Sequence, residues 1–307
     1  MTSQNFFDVT TEEEQAIRDS FSRSDEEIAA DVAVLKEWLK KQPHLPQDLD
    51  EQFIRIVLQR NKFSLEKAKS KLDNYFSIRN LIPEFFENRD MLGDEMQNNM
   101  KQVLVVPLPR LTNNLARVIL IKFTKPDSEL FDFDSYIKFA FALQDLRLYK
   151  DPSDSDIFLM DCQNMKLGHV VKFNPVVVKK AMTVFLKAYS ERIKGVHFIN
   201  MQSYVNSLVT LIQSLLKDKL AARVQAHKNL KSLHKVISKD CLPLDYEGDE
   251  KSLSKLFVDW KKHIEGKRDW LLKQAELKSN EDLRIEGSIE EDIFGSIHGS
   301  FRTLNVD

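Results

Sequence analysis

Apolar residues in the first hundred positions recur three to four places apart, as they do on one face of a helix. The first such run follows Ser24, where Glu27 completes a capping-box pattern, and it stops before Pro43. Asp50 and Ser64 are candidate N-caps for two further runs. The pattern predicts an all-helical N-terminal module.

The pattern changes after Pro109. Short apolar runs without polar alternation occupy residues 118–121, 157–160 and 196–199, and helical patterns at residues 134–148 and 175–190 separate them. Apolar runs of this length are typical of strands buried on both faces of a parallel sheet, with helices as the crossover connections. We therefore expect an α/β fold with a mostly parallel central sheet.

Domain boundaries follow from these changes of pattern. We expect a helical module at residues 1–100, an α/β domain at 101–250 and a C-terminal segment at 251–307. In the last segment a helix is predicted near residues 260–273, and the polar chain from Ser279 onward is expected to be irregular.

Residues 195–216 contain no Asp, Glu, Lys or Arg, which is unusual for a surface helix. Apolar side chains recur there at helical spacing over a wide arc, and amides and hydroxyls fill the remaining face. An uncharged polar face suits a helix that covers a pocket and also touches a lipid surface. A mostly buried helix explains the pattern equally well, so both interpretations stay open.

Composition argues against several classes of function. The 307 residues include 8 glycines, and neither G-x-G-x-x-G nor G-x-x-x-x-G-K-[ST] occurs, which excludes these phosphate-binding loops. G-x-S-x-G, H-E-x-x-H and C-x-x-C are absent as well. We expect no enzyme activity, no metal and no cofactor, although a pair of carboxylates brought together by the fold stays open as an alternative. Two cysteines and an N-terminus without a signal-like pattern predict a cytoplasmic location.

Charge is balanced overall, with a formal net charge of -2, but it is uneven along the chain. Residues 162–239 hold fourteen Lys or Arg against Glu191 and Asp218. Such a basic third indicates an anionic partner, either an acidic membrane surface or a nucleic acid. Solvated helix faces are the alternative explanation.

Four segments, in order, resemble one known family. Residues 53–68, 161–169, 192–200 and 242–248 are similar to motifs of the CRAL-TRIO lipid-binding family, in its alpha-tocopherol-transfer-protein-like and retinaldehyde-binding-protein-like branch. Glu247 stands where the last motif of the family has a glycine. Residues 299–302 resemble the ending of arthropod members of this branch.

The resemblance implies a carrier without catalytic activity. Its α/β/α lipid-binding domain is expected to enclose one hydrophobic lipid, such as a tocopherol, retinoid, carotenoid or other isoprenoid, behind a mobile gate helix. It also implies a short strand near residues 222–226, where periodicity alone would continue a helix. The competing hypothesis is an adaptor that uses the basic surface to bind anionic membranes or nucleic acid without transferring lipid.

Site residues follow from positions in the family pattern. The expected ligand-lining residues are Tyr136, Phe139, Leu143, Met160, Phe173, Ala181, Val184, Phe185, Tyr189, Val196 and Val205. The expected outward, membrane-facing residues of the gate are Tyr204, Leu208 and Leu211. The expected phosphoinositide-binding residues are Arg60, Arg192, Lys219 and Arg223. The implied partners are a hydrophobic lipid and a phosphoinositide-containing membrane bound peripherally, with no nucleic acid.

Overall fold

The computed structural model describes residues 6–21, 23–125, 127–285 and 287. The segment 299–302, which resembles the ending of arthropod relatives, lies outside these residues.

The N-terminal part is helical, as predicted. Its helices are α1 (Thr11–Asp19), α2 (Asp25–Leu39), α3 (Glu51–Arg60), α4 (Leu65–Leu81) and α5 (Asp94–Gln102). Ser24 and Glu27 form the predicted capping box, in which the Ser24 side chain accepts from the Glu27 N–H at 3.2 Å and the Glu27 carboxylate accepts from the Ser24 N–H. Asp50 caps α3 by accepting from the Gln52 N–H at 2.7 Å.

The described residues form one five-stranded sheet with the order β1-β2-β3-β4-β5. Its strands are β1 (Val103–Leu111), β2 (Ala116–Phe123), β3 (Ser155–Asp161), β4 (Ile193–Ile199) and β5 (Val224–His227). β1 pairs antiparallel with β2, and the remaining pairs are parallel. The expected α/β fold with a mostly parallel sheet is confirmed.

Two strands were not predicted from the hydrophobic pattern. β1 contains Pro107 and Pro109, which obscure a strand pattern but are tolerated because β1 is an edge strand. β5 is the short strand that the family resemblance implied and that helical spacing would have extended as a helix. Glu247 has a φ of 54°, the left-handed conformation that explains the glycine of the family motif at this position.

The remaining helices are α6 (Phe133–Lys150), α7 (Leu167–Val170), α8 (Pro175–Ala188), α9 (Asn206–Ser214), α10 (Asp218–Ala221), α11 (Leu230–Leu233), α12 (Leu253–Glu265) and α13 (Arg268–Gln274). The single helix predicted near residues 260–273 is wrong, because the chain turns at Gly266 between α12 and α13. Between Ser279 and Ile285 the chain is irregular apart from a 3-10 turn at Glu281–Leu283, and most of the segment after Ile285 lies outside the described residues.

Successive parallel strands lie side by side, so right-handed crossovers place α6 and α8 on the same face of the sheet. The helical module covers the outer side of these two helices, with α3 against α6 and α4 against α8. A second core cluster fills this outer interface, while the main cluster surrounds the sheet. In the part of the chain that the structure describes, no helix combines the length and apolar character needed to span a membrane.

Candidate functional site

An apolar cavity of about 170 Å³ lies between the sheet and the helices α6 and α8. The strands contribute side chains from one face, since Ile119 on β2 pairs with Phe158 on β3 and both line the cavity. α6 contributes a stripe that runs from Tyr136 through Leu143 and Gln144 to Arg147. The cavity therefore has aliphatic and aromatic walls, with polar groups at both ends of the α6 stripe.

Tyr136 supplies a hydroxyl at one end of this stripe. Burial raises the pKa of Tyr136 to about 12, so its hydroxyl stays protonated at neutral pH and can donate a hydrogen bond to a ligand. At the other end, Oε1 of the Gln144 side chain accepts a hydrogen bond from Arg147 at 3.2 Å. Arg147 also donates hydrogen bonds to the carboxylates of Asp151 and Asp156. This end is thus held by a buried ionic network.

Four of the eleven predicted lining residues, all of which lie in the described ranges, line this cavity: Tyr136, Leu143, Ala181 and Phe185. Met160 and Val196 stand on the same sheet face as Phe158, because Phe158 pairs with Val196 and side chains two residues apart share a face. Both are half-buried and lie beyond the present cavity. They would line it if it lengthened along the sheet.

The other predicted lining residues are placed differently. Val184 and Tyr189 belong to the outer cluster beneath the helical module, and the Tyr189 hydroxyl donates to Asp145 at 2.7 Å. Tyr189 therefore has an internal partner rather than a ligand-facing hydroxyl. Phe139 and Val205 are buried in the core around the sheet, and Phe173 is half-buried against it.

Asp145 explains why Tyr189 points outward from the cavity. Burial alone would raise the pKa of Asp145, but the charges of Arg79 and Arg89 outweigh burial and hold this pKa below its ordinary value. The Asp145 carboxylate lies 2.5 Å from Arg79 and 2.6 Å from Arg89, and it also accepts from the Tyr75 hydroxyl. This cluster ties the helical module to α6, a role that local sequence patterns do not reveal.

The uncharged segment 195–216 includes α9 and the 3-10 turn Ser203–Val205 before it. Its apolar side packs onto the α/β domain: Leu208 is 4% exposed, Leu211 is half-buried, and the Tyr204 hydroxyl donates to the Met165 carbonyl at 2.8 Å. The prediction that these three residues face outward is therefore wrong for this conformation. The outer face carries polar side chains such as Asn206 and Thr210.

An exposed apolar rim lies beside this segment and was not predicted from the sequence. It consists of Leu130, Leu167 and Val171, which are 72%, 56% and 72% exposed. Lys172 donates to the carbonyls of Ser128, Glu129 and Phe131 and so holds the loop of Leu130 against α7. Short α7 offers too few residues for a helical period to show which of its apolar side chains stay exposed.

A cationic cleft of about 520 Å³ lies at the start of β4 and the end of the uncharged segment. Within the described chain, its lining includes six basic residues: Lys62, Arg192, Lys194, Lys217, Lys219 and Arg223. Three of the four residues predicted to bind phosphoinositide are thus brought together. Arg192 and Lys194 share Asp154 as an ion-pair partner, and Lys217 and Lys219 are exposed to solvent.

Arg60, the fourth predicted residue, does not reach this cleft. Its side chain is fully buried and forms ion pairs with Asp156 at 3.1 Å and Glu191 at 2.7 Å. Lys62 takes its place, because the turn after α3 places both Lys62 and Phe63 at a φ of 55°. Two consecutive left-handed residues redirect the chain in a way that residue spacing does not predict.

A family model described as the CRAL/TRIO domain matches residues 92–248, just over half of the chain. The chain belongs to the CRAL/TRIO family. A second model, described as a Pinta-like UBA domain, matches residues 24–96, which include α2 to α4.

Relatives within the CRAL/TRIO family are moderately similar. The chain is 25% identical over 222 residues to the human "Alpha-tocopherol transfer protein-like", covering 71% of this chain and 64% of that protein. It is 30% identical over 207 residues to Clavesin-1 of Xenopus laevis, covering 65% of this chain and 61% of that protein. The match thus spans less than two thirds of the length of these relatives.

A solved structure shares the fold. The crystal structure of Sfh5 superposes with a TM-score of 0.50 at 15% sequence identity, covering 86% of this chain and 99% of that one. The CRAL/TRIO match contains every residue that lines the apolar cavity, whereas Lys62 of the cationic cleft lies outside it. No group of three or more His, Cys, Asp or Glu among the described residues is arranged to hold a metal ion.

Proposed function

We propose that this protein is a carrier that encloses one hydrophobic lipid in the apolar cavity and exchanges it at a phosphoinositide-bearing membrane. One observation carries the proposal. The helices α6 and α8 cover an apolar cavity, the uncharged helix α9 packs against α8, and the chain after α9 leads into a cationic cleft. A tocopherol, retinoid, carotenoid or other isoprenoid matches walls of this kind, with Tyr136 available for a ligand hydroxyl.

The cavity has to enlarge to accept such a ligand. Sites for ligands of this size measure roughly 300–1,000 Å³, whereas the cavity measures about 170 Å³. Met160 and Val196 continue the apolar face of the sheet beyond it. The crossover from β4 to β5 that contains α9 lies on this same face, where α9 packs against α8. Movement of α9 away from the sheet would join this surface to the cavity, so we assign α9 the role of the gate.

An enclosed cavity removes a large barrier to lipid movement. A lipid with about 15 apolar carbons loses on the order of 12 kcal/mol when it enters water from a membrane, at about 0.8 kcal/mol per CH₂ group. Transfer from a bilayer into an apolar cavity avoids most of this cost. The protein needs no catalytic group for this function.

The membrane-facing surface combines apolar and basic groups. The apolar rim of Leu130, Leu167 and Val171 lies beside the turn that leads into α9. The Tyr204 hydroxyl in that turn donates a hydrogen bond to the Met165 carbonyl, just before α7, and so connects the turn to the rim. Exposed Lys217 and Lys219 follow α9. Insertion of the rim and attraction of the lysines to anionic lipids would bring the gate to the bilayer surface.

The cleft suits a phosphorylated inositol headgroup. Among the described residues, six basic side chains line one cleft of about 520 Å³. Each Lys or Arg near an anionic membrane surface contributes roughly 1 kcal/mol of attraction. The headgroup would bind next to the end of α9, so recognition of the membrane would occur where the gate opens. We infer peripheral membrane association on this basis.

The proposal is tested by extracting the purified protein with organic solvent and by native mass spectrometry. We expect one hydrophobic lipid per chain, and transfer of that lipid between vesicles that is faster when the acceptor contains a phosphoinositide. Absence of any lipid, together with vesicle binding that depends on charge alone, would instead favour the adaptor hypothesis.

A further inference from the structure

Glu191 connects the cationic cleft to the apolar cavity through a side-chain contact. Glu191 lines the cleft, although its side chain is only 2% exposed. Its Oε1 accepts a hydrogen bond from Nε2 of Gln144, a residue of α6 that lines the cavity. A single hydrogen bond therefore joins a wall residue of one site to a wall residue of the other.

The charge of Glu191 makes this contact sensitive to an anion. Among the described residues that line the cleft, Glu191 supplies the single carboxylate. A phosphate held by the lysines and arginines of the cleft repels it, and this repulsion is strong because the carboxylate is shielded from water. The force pushes the carboxylate away from the cleft, towards Gln144.

Neighbouring groups restrict where the carboxylate can go. Glu191 Oε2 contacts Arg60 at 2.7 Å, and Arg60 is itself fixed by Asp156 at 3.1 Å and by the Ser153 hydroxyl. Gln144 has the cavity on its other side. Displacement of Gln144 is therefore easiest into the cavity, where it occupies volume that the lipid needs.

We propose that the hydrogen bond between Glu191 and Gln144 couples the two sites, so that an inositol phosphate in the cleft weakens lipid binding in the cavity. This inference rests on the proposed function and assigns it a route. Glu191 acts as a positioning residue, since it acts on the lipid through Gln144. Coupling between two binding sites is reciprocal, so a bound lipid weakens binding of the inositol phosphate by the same factor.

The test measures the affinity for retinol, a fluorescent isoprenoid of the class named in the proposed function, with and without saturating inositol trisphosphate. The readout is the ratio of the two dissociation constants, which cancels any change in the basal lipid affinity of a variant. We expect a ratio of about five or more for the wild type, and a ratio near one for both Glu191→Gln and Gln144→Leu.

Asp154→Asn is the matched control, because Asp154 pairs with Arg192 at the cleft but has no contact with Gln144. Both Asp154→Asn and Glu191→Gln remove a negative charge, so each should bind inositol trisphosphate about two- to fivefold more tightly. Only Glu191→Gln should lose the coupling, while the control keeps the wild-type ratio.

The outcomes separate the inference from the proposed function. A wild type that binds both ligands with a ratio near one overturns the coupling and leaves the carrier function standing. A Glu191→Gln variant that keeps the wild-type ratio does the same. A wild type that neither carries an extractable lipid nor binds retinol, or that fails to bind inositol trisphosphate, overturns the proposed function and the coupling together.

Discussion

Membrane docking through the apolar rim is tested by replacing Leu167 and Val171 with serine. These residues are 56% and 72% exposed, and complete burial of such a side chain is worth about 1.5–3 kcal/mol. Scaled by the exposed fractions, insertion of both side chains contributes at least about 2 kcal/mol. We therefore expect the double variant to bind vesicles roughly 30-fold more weakly.

The assay is sedimentation with phosphatidylcholine vesicles that contain a phosphoinositide, at moderate salt. Val258→Ser is the control, because Val258 is 65% exposed on α12, which packs against β1 rather than beside the gate. Surface changes of this kind alter the free energy of unfolding by less than about 0.5 kcal/mol. Loss of vesicle binding in the double variant can then be assigned to the rim.

Two results would refute this reasoning. Vesicle binding by the double variant that equals that of the wild type would show that the rim stays in water. An equal loss in Val258→Ser would show that any exposed apolar side chain has the same effect, so that the position beside α9 is irrelevant.

Three further predictions concern the cleft, the cavity and pH. Replacing Lys219 and Arg223 with alanine should cost about 2 kcal/mol of attraction to phosphoinositide vesicles while bound lipid is retained in solution, and equal binding at moderate salt would remove the headgroup site. Ala181→Phe should lower lipid stoichiometry, measured by extraction, with an overpacking cost of about 1–3 kcal/mol; unchanged stoichiometry with a collapse of thermal stability would make Ala181 an ordinary core residue. Burial and His227 lower the pKa of His197 to about 4, below its unfolded value near 6.5. The contribution of neutral His197 to stability is therefore complete above about pH 6.5, and the free energy of unfolding falls by about 3 kcal/mol as the pH drops to 4. Urea unfolding of His197→Gln should show a shallower acid slope than the wild type, and an identical slope would contradict the assignment.

Local patterns predicted the elements that depend on local interactions. The capping box at Ser24 and the cap at Asp50 are set by residues within three positions of each other, so the sequence alone suffices to place α2 and α3. Apolar runs likewise predicted β2, β3 and β4, because each is buried on both faces. Edge strand β1 also begins with an apolar run at residues 103–106, but the two prolines that follow interrupt it, and the strand was not predicted.

The site was predicted less completely, because its residues are placed by tertiary contacts. Ala181, Val184 and Tyr189 lie on or directly after α8, and all three belong to the cluster at the interface with the helical module. Of the three, only Ala181 also lines the cavity. The partners of that interface come from distant sequence, such as Tyr75 and Asp145. No spacing rule within α8 distinguishes its two buried sides.

Arg60 and Lys62 show the same difficulty at the cleft. The family pattern indicated a basic residue near the end of α3, and a basic residue from this turn does line the cleft. Which of the two reaches it depends on the left-handed turn at Lys62 and on the burial of Arg60 between Asp156 and Glu191. Both causes become visible only in three dimensions.

The structure shows the buried arrangement of the uncharged segment, and the proposed gate adds the second interpretation that the sequence left open. In the present conformation Val205 and Leu208 are buried, so lifting α9 into water would expose them at about 1.5–3 kcal/mol each. An open gate would then be populated in solution at roughly 1% or less. At a bilayer the same side chains would enter lipid, and since residues 195–216 carry no Asp, Glu, Lys or Arg, no charge would have to be desolvated as they do so. Tyr204, Leu208 and Leu211 therefore pack inward in this structure, and under the proposed gating the absence of charge would let one helix occupy both surroundings.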